Sequence, residues 1–591
     1  MSHHAKSTFF ALLVLASLNF LFGQQVFDVN LNDRSGDSFK VTLYPEQLSA
    51  SNNVFQFAST APGTYQVMDI GRFVNDFKAF DSSGKEVTTE HSSTNQWTIS
   101  HPANVRKITY TVADIWNTKV ERDRVYPMCS TTISDDFVML NGHGVFGFFN
   151  GLQSEPIKIK IDYPVDWKLG TALQKDKDGY YEAEDFDKVV DSPFYLGKMS
   201  TATTEVGGAK IEVYTYSQKG LITSDAMLAS LKSILKAESD FTRGLPVDRY
   251  VFLFYFGSFS AGAWEHSYSS EYVLAEDTLT PAYVGGVVSV VAHEFFHVNI
   301  PLNIHSELVE HFNFEKPVMS QHLWLYEGTT EWAAHMLQLR DSLITLKQYL
   351  QVLQGKLNAN DSFDPNLSLT SLGVHSTELA DQYGNIYQKG ALVSALLDIR
   401  LLQLSHGRTG LRELLLRLSK EYGKKRAFSE AKFFDELAAM TFPEVGDFIN
   451  RYLKGTEKLP VREYFSWLGI DYRPIAEIDS SKSSLGVGIR PVDNAIGVTA
   501  VYDDSKSGLM KGDIIEKIDT TPLTFQNAQM LFGKMVASKP GSTVTITVKR
   551  GDKEIDVASV LSPRVTRHAF SVNPNASPEQ TQLRKAWMKN M

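Results

Sequence analysis

The chain has 591 residues, of which 43% are hydrophobic, 12% aromatic and 21% charged, which is typical of a globular protein of three or four domains. Its formal net charge is −10 at pH 7. This acidic balance, without any run of basic residues, argues against a nucleic-acid-binding surface.

Residues 1–23 have the pattern of a secretory signal peptide. A basic start precedes the apolar stretch 9–22, and Gly23 with the two glutamines after it resembles a cleavage region. The stretch is short for a membrane span, although an uncleaved anchor is the alternative. The single cysteine, Cys129, excludes a disulfide within the chain. We therefore expect export across the inner membrane, most simply to a bacterial periplasm, and no stable membrane span.

Residues 24–205 are predicted to form an N-terminal β domain. Alternating segments such as 39–44, 107–112 and 157–162 are separated by turn signals, among them Pro62-Gly63. This spacing predicts a β-sandwich or an open antiparallel sheet.

Residues 206–474 are predicted to form a second, mostly helical domain. A few strands come first, and long helical periodicities come after them. One of these, over residues 287–300, contains the sequence His293-Glu-Phe-Phe-His297.

The two histidines of this helix have the spacing of metal ligands. His293 and His297 are at i and i+4, so both imidazoles lie on one face and reach one tetrahedral ion. Glu294, between them, can take a proton from a water molecule. Thirty residues after His297, Glu327 supplies a third ligand, which leaves one position open as in a catalytic zinc site. The alternative is a buried structural helix with satisfied histidines.

Glu331 is four residues after Glu327, on the same helical face. From there it can accept the outer N–H of a ligand histidine and fix its tautomer. A solvated helix charge is the alternative. The ligand types favour one zinc ion over manganese or cobalt.

The last part of the chain divides at a polar boundary over residues 475–484. A compact β-rich unit comes next, so that a domain is predicted over 475–565. Residues 566–591 are expected to form a polar tail with some helical potential.

Taken together, these motifs resemble the M61 peptidases, the glycyl aminopeptidase family with a PDZ domain, which are relatives of the M1 aminopeptidases among the gluzincins. Residues 62–69 are similar to the N-terminal signature of that family, 293–297 with 327–328 to its zinc motif, and 485–562 to a PDZ domain. The resemblance implies a multidomain α+β fold. It has an N-terminal β-sandwich-like domain, a mostly helical thermolysin-like catalytic domain and a C-terminal PDZ β-domain.

The resemblance also implies roles for the residues of the metal motif. Zinc is held by His293, His297 and Glu327, and Glu294 is the general base and acid. The spacing to Glu327 is longer than in M1 enzymes, so residues 301–322 are expected to loop out.

The segment Gly262-Ala-Trp-Glu-His266 resembles the exopeptidase motif of these families. The resemblance implies that Glu265 binds the free α-amino group of the substrate through a charge-assisted hydrogen bond. Gly262 and Trp264 are then expected to contact the substrate, and Trp264 to narrow the pocket. A strand-end carboxylate that faces solvent is the alternative for Glu265.

The segment Tyr387-Gln-Lys-Gly390 resembles an element of gluzincin aminopeptidases whose tyrosine stabilises the oxyanion. Tyr387 takes this role in the resemblance, and Tyr383, one turn earlier, is its rival. A packed core tyrosine is the alternative for either residue.

The PDZ resemblance places the carboxylate-binding loop and strand edge at Leu485, Gly486, Val487, Gly488 and Ile489. Such an edge binds the chain ends of peptides or proteins by adding a strand. A closed edge that serves only packing is the alternative.

The expected function is that of a zinc-dependent aminopeptidase acting on peptides, with a preference for glycine or alanine as first residue that the resemblance implies. Two alternatives stay open: a zinc endopeptidase on the same site, and a PDZ peptide-binding scaffold with a vestigial protease domain. The complete set of metal-motif residues argues against the scaffold. A serine protease is disfavoured because no Gly-x-Ser-x-Gly element is present.

Overall fold

The computed structural model describes residues 24–589 except residues 35, 425, 493–494 and 503–504. The predicted signal peptide at 1–23 lies outside the described residues. Within the described ranges, no helix is both long and apolar enough to cross a membrane.

The N-terminal region consists mainly of short strands. Its strands are β1 (Gln25–Asn30), β2 (Ser38–Tyr44), β3 (Val54–Gln56), β4 (Val74–Phe80), β5 (Glu86–Val87), β6 (Thr89–Ser93), β7 (Gln96–Ile99), β8 (Lys107–Ala113), β9 (Thr132–Ile133), β10 (Phe137–Leu140), β11 (Phe148–Phe149), β12 (Ile157–Asp162), β13 (Lys168–Gly170), β14 (Gln174–Lys175), β15 (Tyr181–Ala183) and β16 (Phe194–Gly197). Its helices are α1 (Gly142–Val145) and α2 (Phe186–Val190), with 3-10 turns at Ile70–Phe73, Pro102–Asn104 and Pro127–Cys129.

An eight-stranded sheet of this region packs against two four-stranded sheets. The order of the large sheet is β14-β15-β12-β1-β2-β8-β4-β5, in which only β1 and β12 pair in parallel. Inward-facing side chains alternate along β1 and β2, as expected for strands with one buried face. Phe55 of β3 meets Tyr110 of β8 and Tyr181 of β15 meets Phe194 of β16, at ring-centroid distances of 6.4 and 5.5 Å. The predicted β-sandwich-like domain is confirmed.

The middle region opens with a five-stranded sheet. Its strands are β17 (Ser200–Val206), β18 (Ala209–Ser217), β19 (Arg249–Gly257), β20 (Gly262–Glu265) and β21 (Ser269–Ala275). They lie in the order β17-β18-β19-β21-β20, with parallel pairing of β19 to both its neighbours and an antiparallel β20 at the edge.

Helices make up the rest of the middle region, as predicted. They are α3 (Ser224–Thr242), α4 (Pro281–Phe296), α5 (Glu307–Glu310), a π-helical turn (Trp324–Thr329), α6 (Thr330–Arg340), α7 (Leu346–Asn360), α8 (Leu369–Val374), α9 (Ala380–Tyr383), α10 (Asn385–Leu404), α11 (Leu411–Glu421), α12 (Phe433–Met440), α13 (Pro443–Tyr452) and α14 (Val461–Trp467).

The helix that carries the two histidines begins earlier than its apolar pattern predicts. Thr280 caps α4 by accepting the Tyr283 N–H, and Pro281 occupies the first helical position. The apolar residues from Val287 onward form the buried end of this helix.

The C-terminal region comprises a small β unit and a long two-stranded ribbon. Its elements are β22 (Ile470–Ser484), β23 (Val487–Val492), β24 (Ala495–Val501), β25 (Ile514–Ile518), β26 (Thr521–Pro522), α15 (Ala528–Ala537), β27 (Thr543–Arg550), β28 (Lys553–Val560), β29 (Ser562–Val572) and α16 (Pro578–Lys589). Strands β23-β24-β25-β27-β28 form one sheet, and β22 pairs with β29.

One expectation for this region is corrected by the ribbon, since residues 475–484, expected as a polar boundary, belong to strand β22. The helical potential expected in the polar tail is present as helix α16, but residues 566–572 belong to β29. Trp587 of α16 is fully buried, with ring centroids 5.6 Å from Tyr349 and 6.1 Å from Phe465. The polar composition of this segment gave no sign of the anchor. A single buried tryptophan is nevertheless enough to dock a segment, because its loss costs about 3–5 kcal/mol of folding free energy.

Candidate active site

Helix α4 ends in the predicted metal motif. His293 lies in its last turn, and His297 comes after it with helical backbone angles of φ −59° and ψ −19°. The i and i+4 spacing therefore keeps both rings on one face, with centroids 4.9 Å apart. Their exposed fractions are only 7% and 1%.

The outer nitrogens of both rings are hydrogen-bonded within the protein. Glu331 Oε2 lies 2.8 Å from His293 Nδ1, and the Ile300 carbonyl oxygen lies 2.7 Å from His297 Nδ1. Because these oxygens accept, both Nδ1 atoms carry a proton, which leaves the Nε2 atom of each ring for the site. The Nε2 atoms face one oxygen, Glu327 Oε2, at 3.4 and 3.6 Å.

Glu327 lies in the π-helical turn, a local widening that is frequent at functional sites. The next residue, Gly328, packs against Gly390 of α10. A Cβ on Gly328 would be 2.6 Å from the Gly390 Cα, so this contact excludes any side chain. The glycine pair therefore sets the distance between Glu327 and the helix that carries Tyr387.

The other oxygen of Glu327 binds a residue that sequence reasoning missed. The Tyr65 hydroxyl donates to Glu327 Oε1 at 2.8 Å, across 262 positions of sequence. Tyr65 has a φ of 48°, which is uncommon for an aromatic residue. The sequence predicts a turn at Pro62-Gly63. It does not predict which distant helix the side chains after this turn contact.

Glu331 has the contact with His293 that the sequence predicted. It also accepts a hydrogen bond from Lys356, and His335 Nε2 lies 3.4 Å away. Although burial opposes it, the hydrogen bonds of His293 and His335 and the charge of Lys356 lower the pKa of Glu331 well below its ordinary value. Glu331 therefore stays ionised as an acceptor.

Three buried carboxyl groups surround the two histidines. Glu265, Glu294 and Glu327 are 8%, 8% and 3% exposed. Burial, reinforced by the charges of Glu327 and Glu294, raises the pKa of Glu265 well above its ordinary value. Burial also raises the pKa of Glu294 to about 7, with His293 opposing the rise and Glu327 adding to it. A bound cation would stabilise this concentration of acidic groups away from water.

The donor set fits a zinc ion. Ligand atoms of His293, His297 and Glu327 lie within 4.8 Å of one another. Burial lowers the pKa of His297 to about 4, so this ring is a neutral ligand near neutral pH. A second set, Glu265, Glu294 and His297, is equally close. Both sets contain His297, so they overlap in one site.

Glu265 ends the edge strand β20 and faces the metal ligands rather than solvent. The Pro62-Gly63 turn of the N-terminal region packs directly on it. A Cβ on Gly63 would be 2.5 Å from Glu265 Oε1 and 2.7 Å from Trp264 Nε1. The Trp264 indole N–H donates to the Pro62 carbonyl at 3.1 Å. The turn therefore lines the cavity next to Glu265.

Tyr383 and Tyr387 lie side by side, with their hydroxyl oxygens 2.9 Å apart. The Tyr387 ring centroid is 5.8 Å from that of His293, whereas Tyr383 packs against Tyr65 at 5.7 Å. Burial and the charge of Glu327 raise the pKa of both phenols well above the ordinary value. Both hydroxyls therefore stay protonated and can donate, and Tyr387 is nearer to the histidines.

These side chains share one cavity of about 240 Å³. Its lining residues are Gly63, Thr64, Tyr126, Met128, Cys129, Ala261, Ala263, Trp264, Glu265, His293, Glu294, His297, Glu327, Tyr383 and Tyr387. Gly262, expected to contact the substrate, does not line this cavity. It has a φ of 115°, and Met128 Cε would be 3.4 Å from a Cβ placed on it.

The expected loop between the second histidine and Glu327 is present. Residues 301–322 contain only the short helix α5 within the described chain. His305, His311 and His322 lie in this segment, outside the group of metal ligands. The ring of His322 instead lies 2.9 Å from the Glu430 carbonyl oxygen.

A second cavity, of about 400 Å³, lies between β23 and α15. Leu485, Val487 and Ile489 line it, opposite Phe525 and Phe532. Gly486 and Gly488, which were also expected to bind a peptide, face away from it. A Cβ on Gly486 would be 2.8 Å from the Ser505 Cα, and one on Gly488 would be 3.2 Å from the Ala500 Cβ.

Family models match three segments of the chain. They are the peptidase M61 N-terminal domain over residues 26–198, the M61 glycyl aminopeptidase over 286–393 and a PDZ domain over 483–560. With the buried histidine and glutamate cluster inside the second segment, these matches define a metallopeptidase that carries a peptide-binding PDZ domain. The chain belongs to the M61 peptidase family.

The same fold occurs in a solved structure. An aminopeptidase N family protein from Idiomarina loihiensis superimposes with a TM-score of 0.79 at 20% identity, covering 95% of this chain and 100% of that one. A native LTA4 hydrolase of yeast is more distant, with a TM-score of 0.46 at 12% identity over 76% of this chain and 72% of that one. No curated protein matches the chain in sequence.

Proposed function

We propose that the protein is a zinc-dependent aminopeptidase that removes small residues, glycine or alanine, from the N-terminus of peptides. The observation that carries this proposal is the position of Glu265. Its carboxyl group lies in the same buried cavity as the metal ligands, and the Pro62-Gly63 turn packs directly against it. We infer that Glu265 binds the amino end of a peptide whose first peptide bond lies at the metal ligands.

One zinc ion held by His293, His297 and Glu327 supplies Lewis-acid activation of water and of the scissile carbonyl when it is bound. Glu294 takes the proton from the water molecule and delivers it to the leaving amine. Glu331 holds His293 in the tautomer that this site needs.

Two further groups position the substrate. The Glu265 carboxylate accepts hydrogen bonds from the free ammonium group, a charge-assisted pairing that is strong in a buried site. The Tyr387 hydroxyl donates to the carbonyl oxygen as that oxygen gains negative charge. Trp264 and Gly63 limit the space around the first residue, which supports a preference for glycine and alanine.

The remaining assignments are part of the same proposal. We place the protein in a bacterial periplasm on its signal-like N-terminus and single cysteine. The peptidase unit spans 206–474 and the PDZ unit 475–565, after an N-terminal unit over 24–205. The groove beside β23 binds the carboxyl ends of peptides or proteins, with Leu485, Val487 and Ile489 along its strand side.

The test compares free peptides with N-acetylated peptides of the same sequence. We expect release of single N-terminal residues that stops with a chelator and on acetylation. Glu294→Gln is expected to lower kcat/KM by about 10³-fold, the usual scale for a lost general base. Glu265→Gln is expected to raise KM for free peptides and to reduce the discrimination against acetylated ones. Glu378→Gln, at an exposed position outside the cavity, is the control.

Three outcomes count against parts of the proposal. Equal cleavage of acetylated and free peptides means an endopeptidase on the same site. Full activity of Glu294→Gln removes the proposed base. Cleavage that survives complete removal of metal removes the metal site from the mechanism.

A further inference from the structure

Helix α7 joins the metal site to the C-terminal ribbon formed by β22 and β29. The buried Lys356 of this helix donates to one oxygen of Glu331, whose other oxygen holds His293. Two positions earlier, Gln354 Nε2 donates to the Arg567 carbonyl of β29 at 2.7 Å. Because residues two apart point about 200° away from each other, these contacts lie on opposite sides of the helix. The helix therefore lies between the support of a metal-ligand histidine and the ribbon.

The end of α7 is held by the same C-terminal region. His568 of β29 lies with Nε2 2.9 Å from Asp361, the residue that caps α7, and with Nδ1 2.6 Å from the Tyr472 hydroxyl of β22. His568 has a φ of 53°, a conformation that a residue other than glycine keeps only where its contacts hold it. Lys511 of the C-terminal β unit donates to the Ser362 carbonyl at 3.0 Å, directly after the cap. The ribbon and α7 are therefore joined at several points.

The other end of the ribbon forms part of the groove beside β23. Strand β22 ends at Ser484 and β29 begins at Ser562, and these residues pair one position before Leu485. Ser484 and Leu485 both line the groove, and the Ser483 hydroxyl donates to the carbonyl of Met535 on its opposite side. Strand β23 is at the edge of its sheet, where a peptide can add a strand. A peptide in the groove is therefore next to the ribbon.

The strand pairing of the ribbon is irregular between the groove and α7. Its register shifts between Glu477 and Asp479, and again between Asp479 and Ser483, whereas the pairs from Ile470 to Arg473 are regular. Such shifts leave part of a strand unpaired, so this stretch is easier to deform than a regular ladder. A ligand that orders the ribbon from one end lowers the ordering cost for a ligand at the other end.

We propose that the ribbon couples the groove to the metal site, so that a peptide end bound in the groove raises the zinc affinity of the protein. Bound zinc then tightens peptide binding in the groove by the same factor, because coupling between two binding sites is reciprocal. This inference rests on the proposed function, which assigns zinc to the histidine site and peptide ends to the groove. It gives the C-terminal β unit a regulatory role, since the peptidase holds its metal best when a chain end is bound.

The first test uses zinc alone and measures backbone hydrogen exchange in the full-length protein, with and without saturating metal. We expect exchange in residues 564–572 and 485–492 to slow about fivefold, the lower end of typical coupling between sites. Exchange in α4 should slow in any case, because it carries the metal ligands. Exchange in β12, whose residues line neither cavity, should stay unchanged.

Two variants cut the connection on opposite sides of α7. Lys356→Met removes the contact with Glu331, and Gln354→Ala removes the contact with β29. In both variants at saturating zinc, we expect exchange in the ribbon to slow less than about twofold. Gln351→Ala changes an exposed glutamine of the same helix, and Lys389→Met changes a buried lysine bonded to a different carbonyl. These two matched controls should keep the wild-type response.

The second test measures zinc affinity with a chelating indicator while the groove is offered a peptide. The probe is Ser-Gly-Ser-Val-Phe-Val with fluorescein on its amine, which prevents removal of the first residue, and with a free carboxyl end. We expect zinc affinity to rise about fivefold with this probe. The same peptide ending in an amide should leave zinc affinity unchanged, because it lacks the terminal carboxylate.

The outcomes separate the coupling from the proposed function. Zinc that slows exchange in α4 but not in the ribbon overturns the coupling and leaves the metal site in place. The coupling is also overturned if Gln354→Ala responds as the wild type does, or if the acid-ended probe leaves zinc affinity unchanged. If zinc slows exchange in none of these segments, the proposed metal site fails and this inference fails with it.

Discussion

The catalytic cavity has two halves that are built in different ways. The metal half, with His293, His297 and Glu327, comes from helical segments of one region packed backbone against backbone. The peptide half, with Glu265 at its centre, is lined by a turn from a different region. The proposed metal binding therefore depends on packing inside the helical region, whereas the proposed recognition of the N-terminus depends on how two regions dock. The Tyr65 hydroxyl bridges the halves through Glu327.

The largest effect is expected from Gly328→Ala, which breaks the metal half. The new Cβ collides with the Gly390 backbone and must displace Glu327. We expect metal affinity to fall by more than about 100-fold, measured by competition with a chelating indicator.

Gly355→Ala in α7 is the matched control for this change, since a Cβ there meets nothing within 4 Å. It should leave metal affinity unchanged and stabilise the protein by up to about 1 kcal/mol. Wild-type metal affinity in Gly328→Ala would show that the glycine contact does not position Glu327.

Gly63→Ala should break the peptide half and spare the metal half. Its Cβ collides with Glu265 and Trp264, so the ammonium partner is displaced. We expect kcat/KM for free peptides to fall about 100-fold, the scale for a misplacement near 1 Å, with little change in metal affinity.

The control for Gly63→Ala is Gly84→Ala. Both glycines have positive φ, 76° and 84°, but a Cβ on Gly84 meets nothing within 4 Å. Gly84→Ala therefore carries the backbone strain without the collision. Equal losses in the two variants would assign the effect to strain alone.

Tyr65→Phe sharpens the comparison, because it removes only the hydroxyl that links the halves. Without this donor Glu327 loses its fixed orientation, and we expect metal affinity to fall about tenfold. Tyr110→Phe removes another buried hydroxyl of the N-terminal region, one that donates to the Val145 carbonyl. The idea is wrong if both variants bind metal equally well.

Lys356→Met should have the smallest effect on the metal half. It removes a charged partner of Glu331, which itself holds His293, so the change acts two contacts away from the metal position. We expect a loss in metal affinity of about threefold. Lys389→Met changes a lysine that is equally buried but hydrogen-bonded to the Leu367 carbonyl, and is expected to leave metal affinity unaltered.

Much of the metal half was predictable from short-range spacing. The His293 and His297 pair, and the position of Glu331 one turn after Glu327, result from the geometry of a helix and need no knowledge of the fold. The choice of Glu327 needed only that two helices pack together. By contrast, the contact of Tyr65 with Glu327 joins two regions of the chain. No local sequence pattern predicts which side chain of a turn will make such a contact.

The C-terminal region shows the same division. Alternation and turn signals predicted its β unit. Its polar composition suggested a boundary and a tail where the fold has the β22–β29 ribbon and an anchoring Trp587. Composition averages over many residues, whereas one buried ring decides where a segment docks.

The amino-acid sequence alone predicts the proposed metal chemistry, because helical periodicity places His293 and His297 on one face of one helix and Glu331 one turn after Glu327 on another. Only the tertiary structure brings these helices to the N-terminal region. The turn at Gly63 and the Tyr65 bond to Glu327 both join residues that are far apart in sequence. Contacts of that kind depend on the packing of whole regions, which no local spacing encodes.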